Sequence, residues 1–139
     1  MKKWLILALL AIVAVCGFLY LNAQQKPKYV APTIFTLVDG TLQSEVESQL
    51  GQPLSIEVDA ERVHDELEQI YEQILSTNAA LNTDASQEKR ALLEEILSVS
   101  SQNIDLVAMR YKVVEKTPDG DNEFVRTLYF YNGKLILNQ

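Results

Sequence analysis

His64 is the only histidine in the chain, and it stands beside a row of carboxylates. Glu61, Asp65, Glu68 and Glu72 recur at spacings of four, three and four residues, which on a helix gathers them on one face. Such a face could hold a cation or dock a basic partner. His64 has Glu68 one turn further on, a pair that could supply two ligands to a metal. A zinc site, however, needs more histidine or cysteine than this sequence offers around position 64, and no serine or cysteine nucleophile accompanies His64 in a triad-like motif. The expected roles are surface pairing for His64 and a solvated helix face for the stripe.

A second run, Asp119-Gly120-Asp121-Asn122-Glu123, places acidic oxygens at alternate positions, as part of a calcium loop does. A full loop of that kind needs glycine at its sixth position and glutamate at its twelfth, where this chain has Phe124 and Phe130. Turn chemistry is the expected role. The sequence contains no glycine-rich phosphate loop, no redox cysteine pair and no catalytic carboxylate motif. It therefore predicts no enzyme, no cofactor and no metal site.

Charge narrows the partners. Four of the twelve basic residues, Lys2, Lys3, Lys26 and Lys28, precede residue 29; eight then remain against all nineteen acids, a formal charge of −11. A surface of that sign repels nucleic acid and anionic headgroups, so no nucleic-acid partner is expected. Cys16 is the only cysteine and lies inside an apolar run, which leaves the rest without disulfide or thiol chemistry.

That run, Trp4 to Leu21, carries no charge and follows Lys2-Lys3. Its eighteen residues would span about 27 Å as a helix, close to the hydrocarbon thickness of a bilayer. The two lysines favour a cytoplasmic N-terminus, and Trp4 and Tyr20 suit the two interfaces. The expectation is a membrane anchor or signal segment over 1–23, with residues 4–21 in the inner membrane and the remainder in the periplasm or outside. Two alternatives stay open: cleavage near Ala23 to give a secreted periplasmic protein, and lipidation of Cys16. Residues 24–32, with two prolines and no periodicity, read as a tether to one α+β domain over 33–139.

Within that domain Thr33 to Val38 reads as a strand, as does Leu54 to Val58, whose Leu54, Ile56 and Val58 share one side. Between them, Leu42, Val46 and Leu50 recur every four residues before Gly51, expected as a left-handed cap, and Pro53 end a short helix. Asp59 caps a long helix with Val63, Leu67, Ile70, Ile74 and Leu81 on its inner stripe. Asp84 or Ser86 caps the next, with Leu92, Leu93, Ile96, Leu97 and Val99 inside. A short loop between two amphipathic helices predicts an antiparallel pair. From residue 106 the period becomes two, turns fall at Thr117–Gly120 and Asn132-Gly133, and a three-stranded antiparallel meander results, one face of which should carry a helix.

The stretch from Gly40 to Pro53, with Gly40, Val46, Leu50, Gly51 and Pro53 in matching places, resembles the helix of the BamE/SmpA-type outer-membrane-assembly lipoproteins. That family is also similar in finishing with a three-stranded antiparallel sheet. The match covers fourteen residues, and the helical pair over 59–99 has no place in the family's compact fold. The order of helix then meander also resembles the PepSY-like and cystatin-like or NTF2-like classes, with no motif to choose among them. What the resemblance implies is an envelope scaffold.

The aromatics Tyr111, Phe124, Tyr129, Phe130 and Tyr131 concentrate on the meander and form the candidate interaction face. The expected function is a non-enzymatic, membrane-tethered protein-interaction or scaffold module of the cell envelope, with an envelope protein as partner. The alternative is a periplasmic domain that binds a small ligand in an apolar pocket between helices and sheet.

Overall fold

The computed structural model describes residues 32–77 and 84–139. The architecture is α+β. Three helices, α1 (Gln43–Leu50), α2 (Ala60–Thr77) and α3 (Asp84–Ser98), accompany four strands, β1 (Ser55–Glu57), β2 (Leu106–Thr117), β3 (Gly120–Tyr131) and β4 (Lys134–Asn138). The strands form one antiparallel sheet in the order β1-β2-β3-β4. The meander over 106–138 is as expected, and β1 extends it to four strands. No helix among the described residues is long and apolar enough to cross a membrane. The anchor expected over 4–21 lies outside the described residues.

Turn chemistry sets the meander. Asn132 and Gly133 both hold positive φ, at 48° and 73°, which is the geometry of a two-residue hairpin whose twist matches its strands. Thr117 pairs with Gly120 at the other hairpin, and the Thr117 hydroxyl donates to the Gly120 carbonyl. Between Tyr129 and Phe130 the register against β4 shifts. Simple alternation would place Leu135 and Leu137 together on one face. The bulge instead sends Leu135 to one face and both Ile136 and Leu137 to the other.

Both faces of the sheet are covered, where the sequence predicts a helix on one. On the first face Met109, Tyr111, Val113, Leu128, Phe130 and Leu135 meet Val46 and Leu50 of α1 and Ile34. On the second, Leu106, Ala108, Tyr129 and Ile136 meet α2 and α3 through Val63, Leu67, Ile70, Leu93 and Ile96. The helical pair packs stripe to stripe as its periodicity requires, and also lies on the sheet. Of its expected inner positions, Leu81 lies outside the described residues. Asp59 caps α2, its carboxylate accepting the Glu61 N–H at 3.1 Å.

Three expectations are corrected. Thr33 to Val38 is not a strand: Pro32–Thr36 forms a 3-10 turn, closed by the Thr36 hydroxyl on the Thr33 carbonyl. Strand propensity yields here to packing, because the turn drops Ile34 into the core, where Asn138 donates to its carbonyl at 2.7 Å. Leu42 is not on the inner stripe of α1. It is the extended residue before the helix, is exposed, and bridges to Lys134. Gly51 ends α1 with φ 78° and ψ −157°, a region open in practice only to glycine, instead of the left-handed cap.

Candidate functional site

β1 is the edge of the sheet, three residues long, and is placed by short connections from α1 and to α2. Ile56 stands opposite Met109, so the two side chains share the first face of the sheet, while Ser55 and Glu57 stand opposite Arg110 and Ala108 on the second. The sequence reads Leu54 to Val58 as a strand with Leu54, Ile56 and Val58 on one side; the strand is shorter, Ser55–Glu57, so that Leu54 precedes it in a bend and Val58 follows it, and none of the three is buried. Leu54 is 47% exposed, Ile56 49% and Val58 72%. Alternation says which residues share a side and is silent on whether another element reaches that side, which is why the sequence missed the exposure.

The two sheet edges are treated differently. The segment Gly40–Gln43 runs along β4, with Gly40 N–H to the Leu135 carbonyl at 2.7 Å, Leu135 N–H to Thr41 at 2.8 Å and Gln43 N–H to Gly133 at 2.9 Å. β1 has β2 on one side, and no strand among the described residues on the other. An uncovered edge with an apolar row is a template for a further strand.

The sequence on either side of β1 is acidic. Between Thr33 and Thr77, the stretch that contains β1 and both flanking helices, there are ten carboxylates and a single basic residue, Arg62. Arg62 is already shared, 3.5 Å from Glu57 and 3.7 Å from Asp59. At the other end of β1, the buried Tyr111 donates its hydroxyl to the Gly51 carbonyl at 3.2 Å. Burial, with the Glu47 carboxylate nearby, pushes Tyr111 up to about 12. Behind the strand, Glu66 of α2 accepts from Arg110 at 2.5 Å and from the Tyr129 hydroxyl at 2.9 Å, a three-membered clamp between helix and sheet. Burial and this carboxylate raise the Tyr129 phenol well above its ordinary value.

The five aromatics expected to make an interaction face do not share one. Tyr111 and Phe130 are fully buried in the first core and Tyr129 is buried in the second. Phe124 packs partly buried against the first core and Tyr131 against the second. Residues adjacent in a strand point to opposite faces, so Tyr129, Phe130 and Tyr131 could not form one surface.

His64, Asp65 and Glu68 each bring one ligand atom to within 4.8 Å of the others, a set that could reach a divalent cation. His64 also has its Nε2 3.3 Å from the Leu97 carbonyl, a contact that joins α2 to α3, while Asp65 and Glu68 face solvent. Asp119 sits in the β2–β3 turn, and Asp121 and Glu123 lie in the ladder, opposite Lys116 and Val114. Lys112 reaches Glu123 at 2.7 Å. These carboxylates are strung along a strand and do not converge as a calcium loop's would. A shallow hollow of about 330 Å³ lies over Leu42, Gln43, Ser44, Glu47 and Gly133, with no aromatic in its wall.

Comparison with protein-family models, with curated proteins and with solved structures finds no match to this chain.

Proposed function

We propose that this chain is a non-enzymatic, membrane-tethered protein of the cell envelope whose folded part holds a protein partner, as an interaction or scaffold module. The observation that carries the interaction reading is Ile56, half-exposed on the edge strand while its ladder partner Met109 is fully buried, with Leu54 and Val58 exposed immediately before and after that strand. Large apolar side chains gathered on an uncovered edge favour a protein contact. The tether rests on the uncharged stretch from Trp4 to Leu21 behind Lys2-Lys3. The aromatics that would have lined a ligand pocket fill the two cores instead, which favours a partner over a small ligand.

Two measurements test this. The N-terminus and mass of the protein recovered from membranes should retain Met1; a start at Gln24 would make it a released protein, and a lipid on Cys16 a differently anchored one. Affinity purification of the full chain from membranes should recover an envelope protein that is lost with Ile56→Thr and kept with Val125→Thr, Val125 being an exposed residue away from β1. Equal recovery with both variants would sink the β1 reading.

A further inference from the structure

We draw no further inference here: the strongest candidate, the side-chain cluster of His64, Asp65 and Glu68 on the flank of α2, is two solvent-facing carboxylates beside one histidine whose ring already meets the Leu97 carbonyl of α3, and nothing else among the described residues points to a cation there.

Discussion

Ile56 and Met109 stand opposite each other across the β1–β2 ladder, on one face of one sheet, and only Met109 is buried. The layer that covers Met109 is made by α1 and the turn around Ile34, and it stops short of the edge strand. The pair marks where the core ends. Beyond it the sheet continues on this face only with Ile56, which stays half-exposed.

Unfolding in urea separates the two positions. Met109→Ala should cost about 2–5 kcal/mol, because the cavity lies in a packed core. Ile56→Thr should change stability by no more than about 0.5 kcal/mol, as expected for a half-exposed residue replaced by another strand former. A loss at Ile56 as large as that at Met109 would mean that the edge is covered within the chain.

The clamp of Glu66 on Arg110 and Tyr129 ties α2 to the second face of the sheet. Glu66→Gln keeps the shape and removes the charge, leaving Arg110 and Tyr129 with a weaker acceptor. The expected loss is about 1 kcal/mol, since Glu66 and Arg110 are partly open to water and the ion pair is correspondingly screened. Spectroscopic titration of the phenols should show Tyr129 ionising at lower pH in the variant, because the carboxylate that raises it is gone. An unchanged Tyr129 titration would remove the clamp from the account.

Lys89 of α3 donates to the Ile136 carbonyl at 2.6 Å and pairs with Asp39. It thereby satisfies a backbone acceptor at the bulge that turns Ile136 toward the helices. Lys89→Met retains much of the stem and removes the donor, at an expected cost of about 1–2 kcal/mol by urea unfolding. Asp39→Asn, which removes only the exposed half of the arrangement, should cost well under that. Equal losses would place the stabilisation in the ion pair and not at the bulge.

How much of this was legible depended on whether one segment alone determined the outcome. The Asn132-Gly133 turn, the stop at Gly51 and the stripe Val63, Leu67 and Ile70 are local, and each is found where its pattern predicts. The fate of Thr33 to Val38 is not local: its β-branched residues suit a strand, and the site left for Ile34 between sheet and α1 decides otherwise. The aromatic cluster misled for a related reason. Tyr129, Phe130 and Tyr131 are neighbours in the sequence, but a sheet covered on both faces divides them between two cores. The candidate edge was hidden in the opposite sense, since Leu54, Ile56 and Val58 have the pattern of buried residues and lack only a covering layer.

Alkaline pH offers a separate check on the packing beside that edge. Tyr111 is fully buried, donates to the Gly51 carbonyl and holds its proton to about 12 in the folded chain, against about 10 when unfolded. The folded state therefore binds this proton more tightly. The resulting contribution is complete below pH 10 and is lost as pH rises from 10 through 12, by about 2–3 kcal/mol in all. Tyr129 is raised in the same direction and adds to the decline. Tyr111→Phe should cost about 1 kcal/mol at pH 8, where the hydrogen bond to Gly51 is lost, and should then fall less steeply than the parent chain between pH 10 and 11.5. Urea midpoints at those three pH values decide it: parallel curves for the two proteins would mean that Tyr111 ionises as freely folded as unfolded, and that the core beside β1 is open to water.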